Sequence, residues 1–360
     1  MHMRRGSFLA KLGLVALAAL IGGALPAPAV AQSGNLHVKV MTRNMDAGTD
    51  LNYVAGITDP TAFTYGLMQT VAEVDGSHIP ARAARLAAEI AENTPDLIAL
   101  QEVTLWDITD QLGHRTYDQL ALLQAALNAA GQHYRVAAVQ QLTDIPVNIP
   151  GVLSARFTDH NAILVRCDLP PGDVAVGNVA TGTYQAAISF ASPLGAITVL
   201  NGWMAADVNA GGVRFKFVNT HLLSPVPGDA FVQTSQLQLL QGLELLRILR
   251  TTNLPVILAG DFNSDAEHAG IGPDQTLTAP LIAFAGYIDA WGLLRFWLPG
   301  FTWTLFPEDG SNYTLSERID ILYSRGAIPF IVQRTGLTPG PNGVFASDHA
   351  GVVATYALRK

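Results

Sequence analysis

The sequence predicts an α/β fold, a four-layer sandwich in which two packed mixed β-sheets are flanked by helices. Strand-like and helix-like runs follow one another in mixed order along the chain, which favours sheets covered by helices. Hydrophobic residues make up 49% of the 360 residues, enough for a large buried core. No internal repeat, charge block or low-complexity linker interrupts residues 32–360. We therefore expect one domain over that range.

Strand and helix periods alternate in the first third of this domain. Residues 36–44, LHVKVMTRN, alternate as in a strand, and residues 95–103, PDLIALQEV, read as a buried strand that runs into Glu102. Between them, the stretch that begins at Ile79, IPARAARLAAEIAEN, has apolar residues at helical spacing. A second amphipathic helix is predicted from Tyr117.

Strands dominate the rest of the domain. In its middle they are predicted at 134–140, 161–166, 184–190, 196–202 and 213–222, joined by Gly and Pro turns that favour antiparallel pairing. A long helix is predicted from Phe231 to about Leu249, before the strand in LPVILAGDFN. The last third contains four strand-like runs, YIDAW, FTWTLF, ERIDILYS and HAGVVATYAL.

One segment does not fit this alternation. Residues 46–77 show no clear helical or strand period. Long stretches without a period of their own often form functional loops. We interpret this one as an insertion beside the exit of the first strand, at the rim of a cleft.

The N-terminal residues are typical of a secretory signal peptide. A pair of arginines precedes an apolar run, residues 12–21, and small residues that end at Ala31. The apolar run is short for a membrane span, and glycines and prolines follow it. We predict removal of residues 1–31 by cleavage before Gln32, and hence a secreted or periplasmic protein. The general and the twin-arginine export routes both stay open.

The charge balance restricts how the mature chain can bind a partner. Removal of residues 1–31 takes away three basic residues and no acidic ones, so Lys plus Arg falls from 21 to 18 against 29 Asp plus Glu. Sequence-independent binding of nucleic acid depends on Lys and Arg. A surface that holds nucleic acid by bulk charge is therefore disfavoured, whereas a phosphate held by a metal is not. Since Cys167 is the one cysteine, the core rather than disulfides must stabilise the fold.

Apolar strands repeatedly deliver polar side chains at their ends. The run PVILAG is followed by Asp261 and Asn263, which point the same way from an extended backbone. Six more polar residues stand at comparable positions, namely Asn44, Glu102, His221, Asp320, Asp348 and His349. Each alone could be a turn residue, a cap or a hydrogen-bonded histidine. Their order and number favour one shared site.

The chemistry of this set suits a phosphate ester. Oxygen ligands without thiolates favour a hard cation such as Mg²⁺, with Mn²⁺ or Ca²⁺ as alternatives, and leave positions open for water and phosphate oxygens. Histidines can contact a phosphoryl oxygen or pass protons, and an aspartate such as Asp320 can orient an imidazole. Of Asp261 and Asn263, one can take a proton from water while the other holds that water or the phosphate.

These motifs resemble the endonuclease/exonuclease/phosphatase superfamily, whose fold is like that of deoxyribonuclease I. The matching stretches run in family order from residue 36 to the C-terminus: TRNMDAG, PDLIALQEV, VNTHL, LAGDFNS, RIDILYS and SDHAGVVA. The resemblance covers nearly the whole mature chain. It implies that Glu102 is the principal ligand of a divalent metal, with Asn44 and Asp348 close to it. Asn161 and Arg318 are further candidates for phosphate contact.

The same resemblance implies roles for the remaining residues. Asp261 would position or deprotonate the attacking water, and Asn263 would help to hold it. His349, oriented by Asp320, would lie against the scissile phosphate. His221 would contact a phosphoryl oxygen or serve the leaving group. One metal or two are both compatible with this set.

The chain also departs from the family pattern. No DNA-gripping basic loops are visible in the sequence, and residues 46–77 have no counterpart in well-studied nucleases. Residues 293–301, LLRFWLPGF, are unusually apolar. They are interpreted either as core packing of Trp297 and Phe301 or as a loop that touches lipid, as in sphingomyelinase-like relatives.

The sequence thus predicts a secreted, metal-dependent phosphoric ester hydrolase that cleaves a phosphodiester in the manner of a nuclease. The alternatives are a sphingomyelinase-like phosphodiesterase acting on phospholipid and a phosphatase of a small phosphorylated compound, because all three need the same metal and water activation. An inert binding module on the same fold is disfavoured, since a binder needs neither both histidines nor their aspartate partners. No protein partner is implied. The natural substrate, endo or exo mode and oligomeric state stay open.

Overall fold

The structure is a computed structural model of the chain, and the residues it describes are 36–49, 51–169, 174–270, 275–305, 315–341 and 343–359. The predicted signal peptide, residues 1–31, lies outside them. The helices are α1 (Pro60–Gly76), α2 (Ile79–Asn93), α3 (Gln119–Ala129), α4 (Phe231–Leu249), α5 (Thr278–Phe284) and α6 (Ala290–Leu294). The strands of the first half are β1 (Leu36–Asn44), β2 (Leu97–Gln101), β3 (Leu105–Asp110), β4 (Gly113–Asp118), β5 (Tyr134–Ile149), β6 (Leu153–Arg166) and β7 (Val174–Thr183). Those of the second half are β8 (Ile188–Ser192), β9 (Gly195–Val199), β10 (Gly202–Ala210), β11 (Val213–His221), β12 (Val256–Asp261), β13 (Ile288–Asp289), β14 (Asp320–Arg325), β15 (Ile328–Thr335) and β16 (Gly351–Leu358).

The first large sheet has eight strands. Its order is β15-β16-β1-β2-β6-β3-β4, and β5 pairs with the other edge of β6. Strand β1 is parallel to β2 and antiparallel to β16, so the sheet is mixed. The parallel register sets Asn44 opposite Gln101, and therefore next to Glu102, at one end of the sheet.

The second large sheet has six strands, in the order β13-β14-β12-β11-β10-β7. Strands β11 and β12 are parallel and set His221 opposite Asp261, whereas β12 and β14 are antiparallel and set Asp261 opposite Asp320. Three polar residues thus share one end of this sheet. Strands β8 and β9 form a separate hairpin.

The two large sheets pack face to face. One buried cluster joins Val38, Leu97 and Ile163 of the first sheet to Phe215 and Ile257 of the second. These side chains come from alternate positions of their strands, as expected where one face of each strand meets the opposing sheet.

Helices cover both outer faces. On the first sheet, Leu86 and Ile90 of α2 and Leu123 of α3 pack against its strands, and on the second sheet Leu245 of α4 and Ile282 of α5 do the same. The predicted four-layer sandwich of two mixed sheets flanked by helices is confirmed.

The structure corrects several predictions for single elements. Residues 46–77 contain α1, whose Phe63 and Val74 are buried against β3 and β6, so this segment is not irregular throughout. Its status as an insertion stays a prediction. Strands β3, β4 and β7 were not predicted, β8 begins only at Ile188, and FTWTLF forms a single bridge through Trp303.

The apolar stretch 293–301 lies mostly on the surface. Trp297 is 59% and Phe296 77% exposed, so core packing is the wrong interpretation for Trp297. Phe301 is half-buried and stacks on the His268 ring. In the part of the chain that the structure describes, no helix is both long and apolar enough to cross a membrane.

Candidate active site

The predicted site residues meet where both sheets end. Asn44, His221 and Asp261 close β1, β11 and β12, and Glu102 follows β2 directly. Glu102 has a φ of 52°, so the chain turns sharply as soon as the strand ends. Such left-handed backbone is uncommon outside glycine and is often found at functional sites. The apolar strands are rigid in the core, and their polar ends are consequently held at fixed positions.

Asn44 links the two sheets at this end. Its Nδ2 donates to Glu102 Oε1 at 2.8 Å and to Asp261 Oδ2 at 3.0 Å, while its Oδ1 accepts from the backbone NH of Asp46 at 2.8 Å. The second oxygen of Glu102 accepts from the NH of Ala47 at 2.8 Å. In this arrangement Asn44 holds two carboxylates, and its predicted role as a metal ligand stays a prediction.

His349 lies between three aspartates. Its Nδ1 is 2.8 Å from Asp320 Oδ2 and 3.8 Å from Asp261 Oδ2, and its Nε2 is 3.8 Å from Asp348 Oδ2. Asp348 also accepts from the indole NH of Trp303 at 3.1 Å. The imidazole is thus oriented by Asp320 and surrounded by negative charge.

His221 and Asn263 flank the same carboxylates from the other side. His221 Nε2 is 3.2 Å from Asn263 Nδ2 and 3.8 Å from both Glu102 Oε1 and Asp261 Oδ2. Its Nδ1 is buried and has no hydrogen-bond partner among the described residues. Asn263 is fixed by Asp261, whose Oδ1 accepts from the Asn263 backbone NH at 2.8 Å, and by the carbonyl oxygen of Leu222, which accepts from Nδ2 at 2.9 Å.

Burial shifts the proton affinities of this cluster. Desolvation raises the pKa of Asp261, and the negative charge of Asp320 raises it further, against the opposing effect of His349. Burial likewise raises the pKa of Asp348. Burial alone would lower the pKa of His349, but Asp320 and Asp348 outweigh it and raise that pKa well above its usual value. The structure therefore favours an imidazolium at position 349.

The cluster could hold a divalent cation. Glu102, Asp261 and His349 each offer a ligand atom, and these atoms lie within 4.8 Å of one another. Carboxylate oxygens suit a hard cation, and several acids at close range need positive charge to balance them. An imidazolium at position 349 has no free lone pair, so in that state the carboxylates would hold the cation and His349 would stand beside it. The residues present fit the predicted metal, with Asp348 next to them.

The two further candidates for phosphate contact, Arg318 and Asn161, both contact other groups of the protein. Arg318 is buried, with Nε 2.7 Å from Glu267 Oε1 and Nη1 2.7 Å from Asp289 Oδ2, so its charge is already balanced within the protein. This arrangement disfavours the predicted contact of Arg318 with phosphate. Asn161 is buried, and its Nδ2 lies 3.4 Å from the carbonyl oxygen of Gly202, with Oδ1 unpaired among the described residues. Its contact with phosphate stays a prediction.

Asp159 lies near the site and was not among the predicted site residues. This residue lies in β6 between the segment that pairs with β3 and the segment that pairs with β2. Burial raises its pKa to about 7, against the opposing effect of nearby His221. The alternation of Asp159 and Asn161 just before an apolar run was the available signal, because both side chains point to one face of the strand.

Comparison with known proteins places this geometry in a family. The model of the endonuclease/exonuclease/phosphatase family matches residues 64–349. A search of curated protein sequences gave no match. Among solved structures, truncated TDP2 from Caenorhabditis elegans is similar over 89% of this chain and 97% of its own, at 19% identity and a TM-score of 0.52. An endonuclease/exonuclease/phosphatase from Beutenbergia cavernae is similar over 90% and 72%, at 21% identity and a TM-score of 0.53.

A third solved structure is D. rerio TDP2 complexed with a single-strand DNA product. It is similar over 89% of this chain and 98% of its own, at 16% identity and a TM-score of 0.51. At these identities the likeness establishes the fold, and the family model establishes the relationship. The chain has a phosphoesterase fold with an acidic and histidine cluster at the ends of its sheets, and it belongs to the endonuclease/exonuclease/phosphatase family.

Proposed function

We propose that the protein is a metal-dependent phosphoesterase that hydrolyses a phosphodiester by attack of water. The observation that carries the proposal is the position of Asp261. Its two oxygens are held by Asn44 Nδ2 and by the backbone NH of Asn263, and it shares one cluster with Glu102 and His349. A carboxylate that is fixed in this way and has a raised pKa is suited to accept a proton from water.

The other side chains supply complementary functions. A bound divalent cation would neutralise phosphate charge and polarise the phosphoryl group. The His349 imidazolium, held by Asp320, donates a hydrogen bond to a phosphoryl oxygen as negative charge develops there. His221 stands on the opposite side of Asp261 from Asp320 in the strand order and serves the leaving group. Asn44 and Asn263 hold the carboxylate and the water in place.

We propose a nucleic acid as the first substrate class to test. The D. rerio TDP2 structure contains a single-strand DNA product, which supports a phosphodiester substrate in this family. The acidic composition favours recognition through the metal and the site rather than through a basic surface. We further propose that the enzyme acts outside the cytoplasm, because its first 31 residues have the pattern of a signal peptide.

A phospholipid is the second candidate, and one observation favours it. Phe296 and Trp297 stand exposed at the tip of the 293–301 loop, with their rings edge to face at 5.0 Å. The base of the loop is held by Trp291, whose indole NH donates to the carbonyl oxygen of Leu298 at 2.9 Å. An exposed aromatic pair on an anchored loop is suited to insert into a lipid interface.

One substrate panel tests both proposals. Residues 32–360 are purified and assayed with and without EDTA on duplex DNA, single-stranded DNA, RNA, sphingomyelin vesicles and aryl phosphate mono- and diesters. Hydrolysis of a diester that EDTA abolishes and added Mg²⁺ or Mn²⁺ restores supports the proposed function, and the preferred substrate identifies the class. Absence of hydrolysis on every substrate by folded, metal-supplied protein contradicts it.

A further inference from the structure

Two buried arginines bridge the same pair of site segments. The first segment, residues 44–46, begins at Asn44, the last residue of β1, and the second, residues 346–349, precedes β16 and includes Asp348 and His349. Each segment carries candidate catalytic or metal-binding side chains. Backbone carbonyl groups of both segments accept hydrogen bonds from arginine side chains that no proposed catalytic step uses.

Arg43 is the first of these residues. Its Nη1 donates to the carbonyl oxygen of Asn44 at 3.4 Å and to the carbonyl oxygen of His349. Its other nitrogens face Glu89, with Nε 3.2 Å from Oε2 and Nη2 3.5 Å from Oε1. Both side chains of this ion pair are fully buried, and all of their polar atoms have partners.

Two glycines leave the space that this ion pair occupies. A Cβ at Gly336 would lie 2.8 Å from Arg43 Nη2 and from Glu89 Oε1. A Cβ at Gly351 would lie 2.8 Å from Arg43 Cδ. Since real Cβ atoms do not approach other heavy atoms so closely, the backbone around the guanidinium is shaped to admit it.

Arg82 bridges the same segments from the N-terminal part of α2. Its Nη2 donates to the carbonyl oxygens of Met45 and, at 2.7 Å, of Asp46, and its Nε lies 3.3 Å from the carbonyl oxygen of Ala346. The Asp46 carboxylate balances its charge at 3.1 Å. Arg82 and Glu89 are seven residues apart, two turns of helix, so one face of α2 supports both bridges.

We propose that Arg43 and Arg82 are positioning residues that fix the segment of Asn44 relative to the segment of Asp348 and His349. Buried charges are costly to desolvate, and apolar residues of similar volume often stabilise a fold equally well. The specific property of this arrangement is therefore the set of directional bonds to both segments. The inference rests on the proposed function, because it assigns these arginines to the geometry of that site.

The main test replaces the buried ion pair by apolar residues. We compare Arg43→Met/Glu89→Leu with wild type for melting temperature, kcat, KM and affinity for Mn²⁺ measured by calorimetry without substrate. The expected variant is folded, its kcat is about 10- to 100-fold lower, KM changes less, and Mn²⁺ binds about tenfold more weakly. The matched control is Arg166→Met/Asp168→Leu. It removes an ion pair at the C-terminal end of β6, away from the site, and should change neither kcat nor Mn²⁺ affinity.

A second variant decides the matter if the first does not fold. Arg82→Lys keeps the positive charge but has a single nitrogen in place of the separate Nε and Nη2 that reach the two segments, so we expect weaker Mn²⁺ binding and a lower kcat at temperatures where it is folded. Wild-type kcat and Mn²⁺ affinity in a folded variant of either kind would overturn the proposal. If wild type itself hydrolyses nothing, the proposed function fails while the Mn²⁺ measurement still tests the two arginines.

Discussion

His349 and Asp320 form a buried pair in which the imidazole Nδ1 lies 2.8 Å from the carboxylate Oδ2. Asp320 is the first residue of β14 in the second sheet, and His349 lies just before β16 of the first sheet. Their contact joins the sheets at the site. The aspartate raises the pKa of the histidine against the opposing effect of burial, and this electrostatic relationship can be tested directly.

Substitution of Asp320 should change the pH dependence of catalysis. Asp320→Asn keeps a hydrogen-bond acceptor but removes the negative charge, so the pKa of His349 should fall. If the imidazolium is the active form, the alkaline limb of kcat/KM moves to lower pH, and kcat at neutral pH falls about 10²-fold or more. Profiles of kcat/KM against pH measure the shift, and an unchanged alkaline limb would contradict the role of this pair.

Substitution of Glu102 should remove metal-dependent turnover. Glu102→Gln can still accept a hydrogen bond from Asn44, but it lacks the charge that a divalent cation requires. We expect loss of activity and of its dependence on Mg²⁺, with an unchanged melting temperature. Glu92→Gln on the exposed face of α2 is the control and should behave as wild type. Near-normal Mg²⁺-dependent activity of Glu102→Gln would exclude Glu102 from the metal site.

Asp261→Asn separates a catalytic role from a turn role. Asparagine preserves the size of the side chain and is an equally good turn residue, but it cannot accept a proton. Loss of a general base usually lowers the rate about 10²- to 10⁴-fold. The measurement is kcat together with a thermal melt. A folded variant with a decrease below about threefold would show that GDFN is an ordinary turn.

Asp159 should make stability depend on pH. Its pKa of about 7 exceeds the ordinary value of 3.8, so the folded state binds more protons than the unfolded state between these values. The free energy of unfolding should therefore decrease as pH rises from about 4 to about 7. Asp159→Asn removes this term and should be more stable than wild type at pH 8, by at most about 4 kcal/mol, but not at pH 4.

Urea unfolding in EDTA at both pH values measures this effect without a bound metal. Asp107→Asn, at an exposed position, is the control and should show no such difference. Equal stability of Asp159→Asn and wild type at pH 8 would mean that Asp159 is not buried as a costly charge.

Trp297→Ala tests the lipid proposal. If the exposed loop inserts into a membrane, the variant should bind vesicles more weakly and hydrolyse a soluble diester at an almost unchanged rate. Because Trp297 is 59% exposed, its melting temperature should change little. Co-sedimentation with sphingomyelin vesicles measures binding. Equal binding by variant and wild type would show that Trp297 does not contribute to membrane binding.

The sequence predicts the elements with a clear period and fails where tertiary contacts decide. Helix α2 has the predicted bounds because its apolar residues repeat at helical spacing, and apolar and polar residues alternate in the first half of β1. Helix α1 was missed because apolar, small and polar residues are spread around it, and Gly66 lies within it where the chain packs closely on Tyr53. Its packing on β3 and β6 stabilises it, and no local pattern reports that packing.

For the site, too, the sequence predicts some features and not others. The polar side chains of the site can be predicted, since an apolar run followed by an acid or an amide is visible in the sequence. The partners of those groups are not visible. Arg318 has the same charge whether it meets phosphate or, as here, Glu267 and Asp289, and the pairing of Arg43 with Glu89 joins residues 46 positions apart.

The position of β16 between β15 and β1 has a consequence for synthesis of the protein. Arg43 and His349 are 306 positions apart, so the site closes only through one of the most distant contacts of the chain. A nascent chain that has not yet reached β16 leaves the edges of β1 and β15 unpaired and lacks the histidine altogether. Such distant strand pairing is slow to form. On the proposed function, we therefore expect a chain that ends before residue 349 to be inactive.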